Sequence, residues 1–487
     1  MNKFILILSF ITGAIYIQAQ NPAFTQTTLV SGLNYPVAFD IAPDGRFFLT
    51  QKGGNTAGSC ANGLIKVYDA NGMFLANFYN LTDSVQCDFE RGLLGICLDP
   101  DFSNNHFVYA YYNHLYAGDE RIRVIKFTEL NNLGTNPVII LDIDVPNNIA
   151  GNHVGGNIHM HASEPNKIYV SIGDLAVQAN GQTKNDPYGN FLRINTDGTI
   201  PNDNPFYDDG NPATGNDDRI WSYGHRNAFD FTFSAVNDSL FSSENGLNTW
   251  DEVNMIHIGK NYGWNSCEGF YALGSTTTPC GLAGSELPIE DWAAPLPAVT
   301  GIVHYSGTVF PTLTNHLLVA DNDYGRVYDI TLGNPPAYDQ FISRTQWADF
   351  TTTGGLTTLK QGLDECIYAM KGGYTTAGAI YRICPLGMEV NQNPLLPELI
   401  SVFPNPSSEN FSFHIEAGEI ANLAINFYDI TGRLTGTKNI ENLNSGKSIV
   451  NVNKLETGMD KGLVFCEVML QFVSGSKKST TLKLVIE

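Results

Sequence analysis

The chain has 487 residues, a formal net charge of −22 at pH 7 and 16% charged residues. Its length leaves room for two or three domains, each with an apolar core. A strongly acidic surface repels phosphate backbones and anionic lipid, so the charge argues against nucleic acid as a partner.

The first twenty residues, MNKFILILSFITGAIYIQAQ, combine a basic start at Lys3, an apolar run and a small residue at Ala19. This pattern is typical of a secretory signal peptide over residues 1–20. A membrane anchor is the alternative, but the run is short for a span and no basic stop-transfer segment follows it. We therefore expect an exported protein with no transmembrane segment.

Six later stretches each join two alternating apolar segments through a polar turn, which is typical of a β-hairpin. They are VAFDIAPDGRFFLTQ, LLGICLDPDFSNNHFVYAYY, NIHMHASEPNKIYVSIGD, DFTFSAVNDSLFSSENG, PTLTNHLLVADN and TTLKQGLDECIYAMKGG. No amphipathic helix pattern lies between them. The series predicts an all-β fold and a six-bladed β-propeller over residues 24–385. A pair of β-sandwiches is the competing fold.

Eight cysteines in an exported chain indicate disulfides. Proximity along the chain predicts three pairs, which are Cys60–Cys87, Cys267–Cys280 and Cys366–Cys384. Cys97 and Cys466 remain unpaired in this scheme. Cys97 lies in the apolar string LLGICL, and we expect it to be a buried small side chain.

Prolines at positions 394, 397, 404 and 406 indicate a linker, which we assign to residues 386–399. Short alternating segments follow, including FSFHI, LAINFYDI, SIVNV and VFCEVMLQF. These strands predict a small immunoglobulin-like β-sandwich over residues 400–487.

This tail resembles the C-terminal sorting domain of the type IX secretion system. The resemblance rests on VFPNPSSENFSFHI, INFYDITGRLTG and the terminal LKLVIE, which occur in the expected order. It implies export through the periplasm by the type IX machinery, to a secreted or cell-surface location. It implies no role in chemistry for residues 400–487.

Three histidines lie close together in GNHVGGNIHMHASEPNKIYVSIGD. His159 and His161 are two residues apart, so on a strand they share one face. Two such histidines suit a metal site if a third ligand joins them, but packed strand residues are the favoured interpretation. His153 lies before two glycines, in the preceding loop.

Five motifs in chain order resemble the glucose/sorbosone dehydrogenase family, whose members are soluble quinoproteins that use pyrroloquinoline quinone (PQQ). The motifs are ERGLLGICLDPDF, HVGG with IYVSIGD, GNFLRINTDGTIPNDNPF, YGHRN and ENGLNTWDEVNMIHIGKNYGW. The resemblance covers most of residues 24–385. It implies a β-propeller that oxidises an aldose sugar or a related alcohol such as a polyol.

The resemblance also implies three catalytic residues. His153 would act as the general base for the sugar hydroxyl, because an imidazole titrates near neutral pH. Asp174 would hold the imidazole tautomer and stabilise its charged form. Arg226 would stabilise the oxygen that becomes negative when the quinone is reduced.

Further residues are implied at the cofactor and at calcium. Arg226, Asn227, Glu90 and Asn245 are expected to bind the cofactor. Asn245, Gly246 and Leu247 match the family's calcium loop, and Glu252 and Tyr262 lie in a second calcium region. The acidic loop NDNPFYDDGNPATGNDD offers more oxygen ligands, but we expect it to be solvated.

The chain departs from the glucose-oxidising branch at two places. Asp321 and Asp323 stand where that branch has a lysine that pairs with the quinone, and the last blade has Lys360 but no arginine pair. These features and Cys60–Cys87 resemble the Hedgehog-interacting branch. The alternative function is therefore a non-catalytic, calcium-stabilised propeller that binds glycan or protein, and a metal-dependent lactonase is a third, less favoured hypothesis.

Overall fold

The structure is a computed structural model that describes residues 22–56, 59–146, 149–350, 355–386, 400–403, 405–417, 420–430, 433–458, 461–472 and 477–486. The predicted signal peptide lies outside these residues, as does the predicted linker apart from Leu386. Strands dominate the described part of the chain, which confirms the all-β prediction. The chain divides into two compact units, Met1–Leu386 and Gly387–Glu487.

The described residues of the first unit form six four-stranded antiparallel sheets, which we number in chain order. Sheet 1 comprises Pro36–Ile41, Phe47–Gly53, Asn62–Tyr68 and Phe74–Asn80. Sheet 2 comprises Leu93–Leu98, Phe107–Tyr116, Asp119–Leu130 and Leu133–Asp144. Sheet 3 comprises Ile158–His159, Lys167–Ile172, Asn190–Asn195 and Ile220–Tyr223.

The next three sheets follow the same plan. Sheet 4 comprises Ala228–Phe233, Leu240–Glu244, Trp250–Ile256 and Glu290–Ala293. Sheet 5 comprises Val299–Tyr305, His316–Asp321, Arg326–Gly333 and Gln340–Asp349. Sheet 6 comprises Leu356–Gln361, Ile367–Lys371, Gly378–Pro385 and, as its outer strand, Phe24–Leu33 from the beginning of the described chain.

Helical structure is confined to short turns in the described residues. One α-helical turn spans Phe102–Asn105, and 3₁₀ turns span Thr82–Ser84, Gln178–Gln182 and Lys454–Thr457. Two short strands, Cys267–Glu268 and Tyr271–Ala272, form a small extra sheet. No helix of the described part is long and apolar enough to cross a bilayer.

The predicted hairpins form the first two strands of the sheets, with one exception. In PTLTNHLLVADN only the second half is a strand, and its partner is Val299–Tyr305 rather than the segment at Pro311. Pro311 has no N–H to donate to a ladder. The segment before His316 instead forms turns, in which Thr314 Oγ1 donates to the carbonyl of Gly307 at 2.7 Å.

The first strands of successive sheets contact one another, and the first strand of sheet 6 contacts that of sheet 1. The six sheets therefore form a closed ring, with apolar cores between neighbouring sheets. The outer strand of sheet 6 closes the chain on itself, since Phe24 pairs with Pro385 and Leu33 pairs with Gly378.

Three disulfides join Cys60 to Cys87, Cys267 to Cys280 and Cys366 to Cys384, as the spacing predicts. Cys97 and Cys466 are free and buried. Burial raises the pKa of both thiols, so each behaves as a small apolar side chain.

The second unit contains two antiparallel sheets in the described residues. A three-stranded sheet comprises Ile400–Phe403, Asn410–Ala417 and Gly446–Asn453. A four-stranded sheet comprises Leu434–Leu443, Ala421–Tyr428, Gly462–Phe472 and Lys477–Ile486. Alternate residues of both sheets, such as Phe413 and Phe427, are buried in one common core.

Candidate active site

His153 lies in the loop that leads into sheet 3, in a left-handed backbone conformation with φ +55°. Such a conformation is uncommon for a residue with a Cβ, so the surrounding structure must hold it. The backbone N–H of His153 donates to Glu90 Oε2 at 2.6 Å. Gly155 follows at φ +62°, and a Cβ there would lie 2.5 Å from the carbonyl oxygen of Ser171. The glycine allows the loop to pack directly on the second strand of sheet 3.

Asp174 lies two residues after Ile172, the end of this second strand, and its side chain is fully buried. Its Oδ1 lies 2.7 Å from His153 Nδ1 and accepts the backbone N–H of Ala176 at 2.8 Å. Its Oδ2 accepts the indole N–H of Trp264 at 2.8 Å. A carboxylate with this many donors is fixed in position and can orient an imidazole.

Arg226 lies between sheets 3 and 4 and contacts the other side of the imidazole. Its Nη2 is 2.8 Å from His153 Nε2, and its Nη1 donates to the carbonyl of Asn245 at 2.8 Å. The guanidinium lies over the ring of Trp264, 5.5 Å from the ring centroid. Burial lowers the pKa of Arg226, and nearby carboxylates, Asp174 first among them, offset part of that effect.

These contacts assign the tautomer of His153. A guanidinium can only donate hydrogen bonds, so Nε2 must accept, and the ring proton must then be on Nδ1, where it points to Asp174. A neutral imidazole with its lone pair on Nε2 is the form that a general base requires.

Asn227 and Glu90 support the His153 loop. Asn227 Oδ1 accepts the backbone N–H of Gly155 at 3.1 Å, and its Nδ2 lies 3.4 Å from Glu90 Oε2. Glu90 therefore bridges Asn227 and the backbone of His153. The structure places both predicted residues beside the catalytic candidate.

A cavity of about 520 Å³, part of it open to solvent, lies next to this loop. It is lined by sheets 1, 2 and 4, by the loops that precede sheets 2 and 3, and by the loop between the second and third strands of sheet 6, among them Val37, Lys52, Glu90, Gly156, Phe229 and Tyr374. A Cβ at Gly156 would lie 2.5 Å from Leu94 Cδ1, another lining residue, so the loop fits only as glycine. Mixed apolar and polar walls of this kind suit a small-molecule ligand.

Lys52 supplies a cation to this cavity that the sequence did not indicate. Its Nζ donates to Asn55 Oδ1 at 3.0 Å and to the carbonyl of Phe89 at 2.5 Å, and it lies 4.4 Å from the ring centroid of Tyr374. Burial lowers the pKa of Lys52 to about 8, although the Glu90 and Asp88 carboxylates offset part of the effect. The sequence places Lys52 only within the strand Phe47–Gly53. The alternation of side chains along a strand does not show which of them contacts a ligand.

A second, smaller cavity of about 230 Å³, part of it open to solvent, has Arg226 in its wall. Its wall contains the predicted residues Asn245, Gly246, Glu252 and Tyr262, but not Leu247. Leu247 instead donates its backbone N–H to Glu268 Oε1 at 2.7 Å.

The same small cavity gathers three glutamates, of which the sequence indicated only Glu252. Glu244 accepts the backbone N–H of Arg226, and its Oε2 lies 3.0 Å from His225 Nδ1. Glu268 Oε1 accepts four successive backbone N–H groups of residues 247–250, while its Oε2 is buried with no hydrogen-bond partner among the described residues. Burial, and then the charge of Glu244, raise the pKa of Glu252 to about 8. This arrangement of oxygen ligands suits a divalent cation.

The other two histidines are separate from this site. His159 is buried on sheet 3, where its Nε2 lies 3.0 Å from Asp230 Oδ1 and its Nδ1 lies 3.4 Å from Lys360 Nζ. His161 lies beyond the two-residue strand Ile158–His159, not within it as expected, and contacts Ser163 and Asp238. Each histidine has a partner of its own.

The residues that depart from the glucose-oxidising branch do not line the large cavity. Asp321 is buried in its own turn, where it accepts the N–H groups of Tyr324 and Arg326 and the hydroxyl of Tyr328. Asp323 is exposed. Lys360 contacts His159, and Asp40 lies 4.0 Å from its ammonium.

Comparisons with known proteins agree with this architecture. Residues 33–396 match the model of the glucose/sorbosone dehydrogenase family, and residues 401–487 match that of the secretion system C-terminal sorting domain. The second match indicates an exported protein with a secreted or cell-surface location.

The chain is 30% identical over 312 residues to the uncharacterized protein slr1608 of Synechocystis sp., a match that covers 61% of this chain and 72% of that protein. It is 28% identical over 288 residues to quinoprotein glucose dehydrogenase B of Acinetobacter calcoaceticus, covering 53% of this chain and 56% of the enzyme. The match thus spans less than two thirds of that enzyme.

The PQQ-bound aldose sugar dehydrogenase of Streptomyces coelicolor has a similar fold. The TM-score is 0.57 at 24% identity, with 75% of this chain and all of the other chain covered. The family model spans most of the ring of sheets together with the His153, Asp174 and Arg226 cluster. The chain therefore belongs to the glucose/sorbosone dehydrogenase family.

Proposed function

We propose that this protein is an exported, PQQ- and calcium-dependent dehydrogenase that oxidises a hydroxyl group of an aldose sugar or a related alcohol. The observation that carries the proposal is the buried Asp174–His153–Arg226 arrangement, which presents an imidazole in its basic tautomer beside a cavity. We infer that the six sheets are the blades of one β-propeller over residues 24–385. We also infer that residues 400–487 form an immunoglobulin-like sorting domain for the type IX route through the periplasm.

The charges around the large cavity fit the cofactor. PQQ carries three carboxylates, and an anion in a buried site needs cations or N–H donors nearby. Lys52 supplies a cation in the wall itself. Arg226 and Asn227 lie beside the cavity at the His153 loop, and Arg226 Nε is buried with no hydrogen-bond partner among the described residues. Asp321 and Asp323 stand outside the wall of the cavity and so do not oppose an anion there.

The small cavity supports the calcium part of the proposal. Asn245, Gly246, Glu252 and Tyr262 line it, and Glu244 and Glu268 add two buried carboxylates. Calcium prefers such oxygen ligands, and its charge would offset three acidic groups that share a volume of about 230 Å³. Leu247 would contribute through its backbone only, because its side chain is not part of the wall.

In this mechanism His153 Nε2 takes the proton of the substrate hydroxyl. The substrate must first replace the Arg226 Nη2 that contacts Nε2 at 2.8 Å. Asp174 then stabilises the imidazolium through Nδ1, and Trp264 keeps Asp174 from turning. PQQ held beside Lys52 and the His153 loop would supply the hydride acceptor, and calcium in the small cavity would polarise it. Arg226, once displaced from His153, would offer its guanidinium to negative charge that develops beside it.

The alternative is a non-catalytic propeller that binds glycan or protein. Two observations favour it. Arg226 Nη2 donates a hydrogen bond to His153 Nε2, so the lone pair of this base is already engaged. The first strand of sheet 6, Leu356–Gln361, contains Lys360 but no arginine. In this alternative the His153 loop serves only to shape a binding surface.

Reconstitution separates the two functions. Protein stripped with EGTA receives PQQ and calcium, and we measure quinone binding by absorbance and sugar-dependent reduction of a dye. We expect micromolar quinone binding in the wild type, in His153→Ala and in Asp174→Asn. Dye reduction should fall about 10²–10⁴-fold in both variants, since each loses general base catalysis. His161→Ala is the control and should retain full activity. Failure of the wild type to bind PQQ at micromolar concentration would contradict the dehydrogenase and favour the binding module.

A further inference from the structure

The long loop between the last two strands of sheet 3 gathers three aspartates that the proposed dehydrogenase does not use. It runs from residue 196 to residue 219, between strands Asn190–Asn195 and Ile220–Tyr223. One carboxylate oxygen from each of Asp208, Asp209 and Asp218 lies within 4.8 Å of the other two. We call these three residues the acidic-loop cluster.

Asp218 distinguishes this cluster from a solvated acidic surface, because its side chain is fully buried. Its Oδ1 accepts the backbone N–H of Asp208 at 2.5 Å, but its Oδ2 is buried with no hydrogen-bond partner among the described residues. A buried carboxylate oxygen without a partner is unfavourable, and native structures usually satisfy it with a donor, a water or an ion.

The neighbouring Asp217 shows how this chain neutralises a buried aspartate by other means. Asp217 is also fully buried, but Arg219 Nη2 lies 2.6 Å from its Oδ2. In the described part of the chain, no lysine or arginine forms an ion pair with a member of the acidic-loop cluster. The cluster therefore concentrates negative charge beside a buried oxygen that has no counter-charge.

The loop holds the two exposed members in place. Asp208 Oδ2 accepts the backbone and side-chain N–H groups of Asn216 at 3.0 and 3.1 Å. Asp209 accepts the backbone N–H of Asn211 at 2.8 Å and the hydroxyl of Thr214 at 2.6 Å. Gly215 has φ +65°, and a Cβ there would lie 2.4 Å from Asp208 Oδ2, so only glycine leaves room for that carboxylate.

We propose that the acidic-loop cluster binds a calcium ion, in addition to the calcium of the proposed dehydrogenase. Two oxygens on one calcium at roughly 2.4 Å each cannot be more than about 4.8 Å apart, and the three carboxylates meet this limit. The cluster contains oxygen ligands without histidine or thiolate, which excludes a zinc-type donor set. Its two exposed members leave coordination positions for water, and calcium accepts an irregular shell more readily than magnesium does.

The ion would fasten the loop to sheet 3. The carbonyl of Asp218 accepts Asn204 Nδ2 at 2.9 Å, and Asn204 in turn contacts the backbone and guanidinium of Arg193 on the third strand. Calcium at Asp218 therefore connects the exposed loop tip to a buried polar network. The expectation of a merely solvated loop does not account for the buried, unpaired oxygen.

Calcium titration of the full-length protein, after EGTA treatment, tests the proposal by calorimetry. Asp209→Asn removes one ligand charge at an exposed position, so it should fold normally, and Asp218→Asn removes the buried one. We expect each variant to lose one bound calcium or to bind it about tenfold or more weakly. Asp197→Asn is the control, since this exposed aspartate accepts hydrogen bonds only within its own turn at Thr199.

The outcomes are distinct from those of the quinone test, because these variants leave residues 245–247 and Glu252 intact. Calcium stoichiometry and affinity that are unchanged in Asp209→Asn overturn the proposal, whether or not Asp218→Asn folds. An equal loss in Asp197→Asn also overturns it, because the effect would then come from surface charge. Tighter binding of magnesium than of calcium at this site overturns the assignment to calcium.

Discussion

Lys52 places a buried positive charge in the wall of the large cavity. Its ammonium is enclosed by Asn55, the carbonyl of Phe89 and the ring of Tyr374, and burial lowers its pKa to about 8. A cation held in such surroundings loses its hydration and can recover that energy by pairing with an anionic ligand. We therefore propose that Lys52 supplies the positive charge of the cofactor site, in place of the lysine expected near Asp321 and Asp323.

This role predicts a pH-dependent affinity for PQQ. Below pH 8 the ammonium is protonated and attracts the carboxylates; as the pH rises through about 8 it loses its charge and the attraction. We therefore expect the affinity of the wild type for PQQ to weaken between pH 7 and pH 9. Lys52→Met should weaken binding about 10–100-fold at pH 7 and abolish this pH dependence. Fluorescence titration with PQQ measures both effects.

The control for this prediction is Lys66→Met, because Lys66 lies on the next strand of sheet 1 and does not line the cavity. It should leave both the affinity and its pH dependence unchanged. A Lys52→Met variant that binds PQQ as tightly as the wild type at pH 7 would remove Lys52 from the cofactor site.

Among the single residues of the candidate active site, the sequence indicated some and not others. His153 begins the motif HVGG and Asp174 ends the motif IYVSIGD, and the two flank one hairpin, so their meeting at 2.7 Å follows from local pairing. Trp264 reaches Asp174 from 90 residues away, and Lys52 meets Glu90 only through the packing of sheets 1 and 2. Contacts of this kind depend on tertiary arrangement, which alternation along one strand does not contain.

Among the elements, the first strand of sheet 5 buries an unusual group. His304 is 3% exposed and stacks on Phe241, with ring centroids 5.9 Å apart and planes 13° from parallel. Its pKa is lowered to about 4, mainly by burial; the backbone of Asn315 acts in the opposite direction, and the charge of His316 adds to the lowering. The strand is therefore packed around a neutral imidazole.

This burial predicts a loss of stability in mild acid. The unfolded chain takes up a proton near pH 6.5, whereas the native imidazole does so only near pH 4, so the free energy of unfolding falls between these values. The contribution reaches about 3 kcal/mol when fully developed. We expect His304→Phe to reduce the drop in the denaturation midpoint between pH 7 and pH 5. Guanidinium unfolding at the two pH values measures it.

His257 provides the comparison, because it is exposed. His257→Gln should show the same drop in midpoint as the wild type. If His304→Phe also loses as much stability in acid as the wild type, the acid sensitivity arises from other groups.

Sequence patterns predicted hairpins between neighbouring segments more successfully than pairings between distant strands. Polar turns such as the one at Asp44 and Gly45, with φ +88° at the glycine, separate two alternating segments and so fix a hairpin locally. The strand Phe24–Leu33 has similar alternation, but its partner Gly378–Pro385 lies some 350 residues later. No local signal selects that partner, and the turn at Pro311 shows that an apolar segment alone does not make a strand.

At the scale of the whole molecule, the proposed active site and the sorting domain lie in different units of the chain. All residues of the proposed site and of the acidic-loop cluster lie in Met1–Leu386, and each unit has an apolar core of its own. Units with separate cores are expected to fold independently.

Removal of residues 387–487 is therefore expected to leave the first unit folded but to prevent its delivery to the cell surface or medium. The truncated protein should melt cooperatively and bind PQQ within about twofold of the full chain, since no ligand residue is lost. Circular dichroism and quinone titration test the fold, and fractionation of cells tests export. Aggregation of the truncated chain, or its normal appearance outside the cell, would each contradict this division of roles.

The pairing of Phe24 with Pro385 brings the two ends of the ring to neighbouring positions in one sheet, about 5 Å apart across the ladder. The strands at the two ends of the ring therefore belong to one sheet, sheet 6. A short peptide could join these ends, and new termini could be placed in an exposed loop such as the one at Ala117 and Gly118. The order of the six sheets along the chain would change while every neighbour in space stayed the same.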